Sequence, residues 1–269
     1  MEPTCDFRVT ERSGRARAGL LRTAHGEIST PAFMPVGTRG AVKALTHRDL
    51  DDLGAEIILA NTYHLYLRPG EELIARHGGL HRFVGWNKPI LTDSGGYQVF
   101  SLAATRTLTN EGVRFRSHLD GSEHLITPEK ATDIQVRLGS DIAMVLDECP
   151  AGGSAADVSR RAMERSALWA DRARRRFREI SAEAPSMATN TGQAQFGIVQ
   201  GGGYADQRTE SAQRTVEIGF EGYAIGGLSV GEAVPVMYDI VAHTTPLLPE
   251  DRPRYLMGTG MPDDLVECV

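Results

Sequence analysis

One repeated unit constrains this chain more than any other feature: a short apolar run that stops abruptly on a glycine or polar residue, then a helix-like segment. It occurs at "EIILAN" ending on Asn61, "PILTD" on Asp93, "IAMVLDE" with Asp147, "FGIVQGG" with Gln200, "YAIGGL" with Gly226 and Gly227, and "RYLMGTG" with Gly258. "PAFMPVGT" reads as the first strand of the series, making about seven. Runs that are apolar throughout suit strands buried on both faces of a parallel sheet. The segments between them carry helix signals. Thr127 before Pro128 reads as N-cap and first helical residue, Ala131, Ile134 and Leu138 form one face, and Gly139 ends it; Thr46 to Leu53, closed by Gly54, is a shorter case. Alternating strand and helix implies an α/β fold with a parallel sheet. Reactive residue types at the end of each strand favour a (β/α)8 TIM barrel, whose active site gathers at that mouth. A doubly wound sheet is the alternative, but it would bring a glycine fingerprint after the first strand, and none is found.

At 269 residues the chain suits one barrel domain. The stretch from Ala151 to Ala188 reads as one long helix, with Val158, Ala162, Trp169, Ala173, Phe177 and Ile180 on one face. Arg172, Arg174, Arg175, Arg176 and Arg178 crowd the rest, as a solvated surface rather than a phosphate-binding ridge. A net charge of -6 argues against indiscriminate nucleic-acid binding by bulk positive potential, while leaving a local basic patch open. Cys5, Cys149 and Cys268 are odd in number and far apart, which points to a reducing, cytoplasmic setting. There is no apolar run of membrane-spanning length and no signal-peptide pattern.

"LTDSGGYQVFSL" places a carboxylate, a hydroxyl, two glycines and a tyrosine together at the end of an apolar run. Asp93 alone would pass as a helix cap or Asx turn. With Ser94, with Gly95 and Gly96 allowing close backbone approach, and with the flat ring of Tyr97, the group favours a site. Asp147 at a strand end either pairs with a neighbour or accepts hydrogen bonds from a substrate, and the second is favoured. Gln200 and the backbone of "GGLSVGE" add an amide and peptide groups. Acceptors, donors and a ring at one mouth complement the edge of a purine such as guanine, and Met257 is suited to cover its other face. His64, His77 and His81 lack the spacing of a metal set and read as structural; no metal is expected in this chain.

"TPAFMPVGT", "NTYHLYLRPG", "LTDSGGYQVFSL", "DGS", "MVLDECP", "FGIVQGG", "YAIGGLSVGE" and "PRYLMG", in this order, closely resemble bacterial tRNA-guanine transglycosylase (queuine tRNA-ribosyltransferase) along essentially the whole chain. The resemblance implies a pentosyltransferase that exchanges guanine at the anticodon wobble position for a 7-deazaguanine during queuosine biosynthesis, through a covalent tRNA intermediate. It implies Asp93 as general acid/base, with Ser94, Gly95, Gly96 and Tyr97 lining the base site. Asp147, Gln200, the Gly227 N–H and the Leu228 C=O hold the base edge, and Tyr97 and Met257 sandwich the ring. The segment Gly258, Thr259, Gly260, Met261, Pro262, Asp263 and Asp264 contacts RNA. Cys149 and Val230 match the bacterial pattern that admits preQ1, with Glu232 supporting the loop that binds its aminomethyl group. Read without the family, Asp93 and Asp147 would suggest the acid and nucleophile of a retaining glycosidase; the resemblance makes Asp147 a recognition residue and the nucleophile a third aspartate.

That nucleophile, the last strand and a C-x-C-x-x-C plus His zinc site are expected beyond "PDDLVECV", so the chain reads as truncated, with an incomplete barrel and without exchange activity of its own. Zinc and a homodimer are expected of the full-length family member. A non-catalytic tRNA- or base-binding partner subunit, or a decayed remnant of the family, is the alternative; a barrel hydrolase gains nothing from a guanine-shaped pocket.

Overall fold

The computed structural model describes residues 2–102 and 105–269. In chain order the strands are β1 (Asp6–Ser13), β2 (Ala16–Thr23), β3 (Gly26–Thr30), β4 (Ile58–Ala60), β5 (Ile90–Thr92), β6 (Arg106–Leu108), β7 (Val113–Arg116), β8 (Glu123–Ile126), β9 (Ile142–Met144), β10 (Ala194–Val199), β11 (Gly222–Ile225) and β12 (Arg254–Leu256). The helices are α1 (His47–Asp52), α2 (Thr62–Leu67), α3 (Glu71–Arg76), α4 (Leu80–Val84), α5 (Gly96–Leu102), α6 (Pro128–Leu138), α7 (Ala156–Glu183), α8 (Ala205–Ile218), α9 (Val234–Thr244) and α10 (Pro262–Cys268).

Six parallel strands, ordered β12-β11-β10-β9-β5-β4, curl into a half-barrel, and helices alternate with them as the sequence pattern predicts. The seventh expected strand is reduced to one parallel bridge between Val36 and Leu59. The reason is local: Pro31 and Pro35 in "TPAFMPV" have no N–H to give a ladder. The parallel strands β4, β5, β9, β10 and β11 are buried at every position, which explains their apolar composition.

The helix signals translate directly. The Thr127 side chain accepts from Lys130 N at 3.2 Å, Pro128 opens α6, and Gly139 closes it with φ 70°. Thr46 and Asp49 form a capping box at α1. On α7, Ala162, Trp169, Ala173, Phe177 and Ile180 are buried, but Val158 in the first turn is exposed.

The arginines of α7 depart from the expected solvated surface. Arg172 forks onto Glu129 of α6 with both contacts at 2.7 Å, Arg176 reaches Asp133 at 2.7 Å, and Arg174 grips Glu221 at 2.5 and 3.0 Å. Arg175 alone keeps to a helix-surface pair with Asp171, and Arg178 donates to the Ile218 carbonyl.

Two antiparallel sheets decorate the half-barrel and have no counterpart in the sequence reading. β6-β7-β8 covers a cluster of Tyr63, Val99, Phe115, Ile126 and Trp169. β1-β2-β3 sends Leu21 and Ile28 into the main core. It is fastened to the N-terminal ends of the parallel strands through Asp141, which has a fully buried side chain. One oxygen of Asp141 accepts from His25 N at 3.0 Å and meets His25 Nδ1 at 2.9 Å. The other meets His81 Nε2 at 2.8 Å and accepts from Ile90 N at 2.9 Å. The two imidazoles stack with centroids 3.6 Å apart.

Candidate active site

Opposite that clamp, the C-terminal ends of the strands carry most of the side chains singled out from the sequence. β5 runs straight into Asp93, whose carboxylate is almost fully buried and surrounded by donors. Its Oδ1 accepts from the backbone N–H groups of Thr62 (2.9 Å) and Gly95 (3.1 Å). Its Oδ2 accepts from Asn61 Nδ2 (2.5 Å) and Gln98 Nε2 (2.9 Å). Burial raises the Asp93 pKa above the ordinary carboxylate value even against these four donors, which favour the anion.

Asp147 lies beyond β9, on the strand beside β5. Its Oδ1 accepts from Ser94 Oγ at 3.3 Å and its Oδ2 from Gln200 Nε2 at 2.7 Å. Burial pushes its pKa up to about 6, opposed by the Gln200 and Ser94 hydrogen bonds and reinforced by the charge of Asp93. A carboxylate near that value exchanges its proton close to neutral pH, and Asp93 beside it is raised by burial as well. The electrostatic link between Asp93 and Asp147 and the Ser94 bridge make them one site.

Glycine is required where these strands meet. A Cβ on Gly96 would sit 2.7 Å from the Asp147 carbonyl oxygen. A Cβ on Gly227, which has φ +67°, would sit 2.2 Å from Gln200 Oε1. That oxygen is buried with no hydrogen-bond partner in the described structure.

The remaining residues singled out from sequence fall in three places. Tyr97, in the first turn of α5, is half exposed beside the Asp93 loop. Met257 directly follows β12, and its sulfur lies 3.5 Å from where a Gly226 Cβ would be. The Leu228 side chain is buried in the main core, and its carbonyl oxygen lies 3.3 Å from where a Gly258 Cβ would be. Glu232 folds back on its own loop: it accepts from Ser229 N and, at 3.0 Å, from Val230 N, while the Val230 carbonyl accepts from Gly152 N at 3.0 Å. Cys149 sits against this loop, its thiol pushed up to about 12 by burial and the nearby Asp147. In the last segment Thr259 meets Ser229, Gly260 lies beside the Phe33 ring, Met261 is exposed, and Pro262, Asp263 and Asp264 open α10, where Asp264 accepts from Tyr238.

Sequence reasoning noted Asn61 only as a strand terminus and passed over Thr62, Gln98 and Arg208. Asn61 and Gln98 are the side-chain donors to Asp93, and Arg208 is wholly buried behind the Gln200 loop. The available signal was positional, since Asn61 ends β4 as Asp93 ends the adjacent β5. Of the histidines read as structural, His64 packs edge-on to Tyr63 and His118, His77 bonds its own helix, and His81 belongs to the Asp141 clamp.

Among the described residues, His25, His81 and Asp141 form the one group of three ligand-type side chains close enough to share a metal ion. It contains no cysteine, and every carboxylate oxygen in it is already engaged by an imidazole and a backbone N–H. Cys5, Cys149 and Cys268 are free and belong to no such group. The residues present therefore do not fit a cysteine-based zinc site.

A curled parallel half-barrel whose strand ends bring together two buried carboxylates, an amide and close-approach glycines has the architecture of an incomplete TIM-like barrel enzyme. The family model for queuine tRNA-ribosyltransferase matches residues 11–269. The chain belongs to that family, a family of pentosyltransferases that modify tRNA on the path to queuosine. It is 56% identical over 260 residues to a queuine tRNA-ribosyltransferase of Solidesulfovibrio magneticus, covering 97% of this chain and 67% of that protein. It is also 56% identical over 265 residues to the Desulforudis audaxviator protein of the same name and 54% identical to that of Thermoanaerobacter pseudethanolicus, each match covering 98% of this chain and 68% of the relative. Among the described residues, no helix is long and apolar enough to cross a membrane.

Proposed function

We propose that the Asp93–Asp147 mouth is the base-exchange site of a tRNA-guanine transglycosylase acting on the anticodon wobble guanine. The observation that carries this reading is the hydrogen bond between Asp147 and Gln200, an acceptor and a donor side by side at 2.7 Å. Guanine presents N1–H and N2–H₂ donors beside an O6 acceptor. It takes the place of each wall group's present partner, Asp147 accepting from the base and Gln200 turning to donate to O6, with the Gly227 N–H as a second donor. The backbone carbonyl of Leu228 accepts at the same edge. Tyr97 and Met257 stack on the two faces of the ring, and Ser94, Gly95 and Gly96 line its border.

In this reading Asp93 moves the proton. Its raised pKa supports protonating the departing base and deprotonating the incoming one, and Asn61 and Gln98 hold the carboxylate in one orientation between the two events. The exchange runs through a covalent tRNA intermediate in which a separate carboxylate attacks ribose C1′; none of the residues assigned here is that nucleophile. A nucleotide in an open anticodon loop costs only a few kcal/mol to flip into such a pocket. That lets an acidic protein rely on local contacts, and residues 258–264 beside the mouth supply them. The incoming base is preQ1, admitted by Cys149 and Val230 with Glu232 ordering the loop. A homodimer and a cytoplasmic location complete the proposal.

Calorimetric titration of the protein with guanine tests the pocket. We expect saturable binding that falls at least tenfold in Asp147→Ala; equal binding by the variant would overturn the assignment. Competition between preQ1 and queuine tests the specificity, with preQ1 expected to bind more tightly and a queuine preference refuting it. Incorporation of labelled guanine into tRNA separates an exchanging enzyme from a protein that only binds the base.

A further inference from the structure

Arg208, in the first turn of α8 but wholly buried, is a cation with no carboxylate hydrogen-bonded to it. Its guanidinium is satisfied by four backbone carbonyls: Nε donates to Gly202 (2.8 Å), Nη1 to Val199 (3.0 Å) and Gly226 (2.7 Å), and Nη2 to Gly227 (3.3 Å). Those carbonyls belong to the last residue of β10 and to the loops that follow β10 and β11, which also carry Gln200 and Gly227. Keeping a charge dry with no hydrogen-bonded carboxylate among the described residues costs stability, and burial lowers the Arg208 pKa to about 10, opposed by the more distant charge of Glu232. A purely structural tie between two loops needs no charge.

The shortest contact shows what the charge acts on. The carbonyl of Gly226 and the N–H of Gly227 belong to one planar trans peptide, on opposite sides of it. A cation holding that carbonyl fixes the direction of the N–H and, by polarising the peptide, strengthens it as a donor. The Gly227 N–H lies near enough to the Cys149 thiol to act on it, lowering its pKa against the larger effect of burial. Val199 stands in the same relation to Gln200: its carbonyl is held by Arg208, while Gln200 N donates to Ser211 Oγ at 2.9 Å, which anchors the backbone from which the Gln200 amide projects.

We propose that Arg208 is a positioning residue that aims and strengthens the donor wall of the pocket, Gly227 N–H above all, for the exocyclic oxygen of a 6-oxopurine. This rests on the base-pocket reading above. Arg208 touches no ligand; it acts through the 226–227 peptide, as preorganised donors act on developing negative charge in other enzymes.

The test compares guanine with 2-aminopurine, which keeps the 2-amino group but lacks the 6-oxo oxygen and the N1–H that goes with it, by calorimetric titration of native protein, Arg208→Lys and Arg208→Met. Only the change of preference between variants reports on Arg208, since Asp147, which meets N1–H in this reading, is unaltered in all three. We expect the guanine-over-2-aminopurine preference of the native protein to fall at least tenfold in Arg208→Met and by a smaller factor in Arg208→Lys, with 2-aminopurine affinity changing less than threefold. A preference unchanged in both variants, or an equal loss of both bases, would overturn the proposal, since general collapse of the loops spares neither base. Should Arg208→Met fail to fold, Arg208→Lys decides: a preference equal to the native one refutes the role. No guanine binding by the native protein would instead sink the pocket reading itself, an outcome visible before any variant is compared.

Discussion

Asp147 shows how burying a single carboxylate costs stability. Its native pKa of about 6 lies above the value of 3.8 for a free aspartate, so the folded protein binds a proton that the unfolded chain has lost. Stability contributed by that residue is full below pH 3.8 and is lost as pH rises through the window to about 6. Asp147→Asn, neutral throughout, is therefore expected to raise Tm at pH 7, by an amount equivalent to no more than about 3 kcal/mol, with the gain vanishing near pH 4 in thermal melts. In the proposed pocket the ionised form is the one that accepts from a base, so guanine affinity of the native protein should rise with pH and level off above about 6. The sequence displayed Asp93 and Asp147 because carboxylates interrupting apolar runs are costly unless used. It concealed Arg208, which sits in an ordinary polar helix start and becomes meaningful only when two distant loops fold over it.

Among elements, those driven by local pattern were readable and those driven by partners were not. α6 is written out in Thr127, Pro128 and Gly139, and the buried parallel strands in their uninterrupted apolar runs. β1 defeats such reading because "DFRVTERS" is mostly exposed and charged; its partner β2 and the clamp beneath decide its conformation. The same holds for "PAFMPVGT", where hydrophobicity promised a strand and two prolines withheld the ladder. The clamp is the element-level feature most open to measurement. Burial acts to raise the pKa of Asp141, but hydrogen bonds from His25 and His81 hold it well below the ordinary carboxylate value. Its stabilisation is present above the unfolded pKa and lost as pH falls toward the folded one. His25, raised chiefly by its hydrogen bond to Asp141, adds stability that fades as pH climbs through its own folded pKa. Asp141→Ala is expected to cost on the order of 3 kcal/mol at pH 6, and to shallow the acid limb of the stability curve measured by urea denaturation.

At the level of the whole molecule, the half-barrel has two sheet edges. β12 pairs only with β11 among the described residues, and outside β4 there is only the Val36 bridge. Next to the second edge lies a cleft of about 700 Å³ lined by Phe33, Val36, Leu45 and Leu53, apolar side chains that are all exposed. Unpaired backbone beside exposed apolar surface promotes association. Light scattering should show concentration-dependent self-association that Val36→Lys reduces; a monodisperse native protein at high concentration would contradict this. The opposite flank is built differently. α7, 28 residues long, is tied to α6 and Glu221 by three arginines, and about three turns in Ser166 Oγ accepts from Glu148 N at 2.9 Å while Arg165 pairs with Glu148, the neighbour of Asp147. Asp147, proposed above to read the base, is thus tied through its neighbour to the longest beam among the described helices. Amide protons across the middle of that beam should exchange with solvent as one slow cooperative block, and loosening any of its rivets would blur the pocket from behind without touching it.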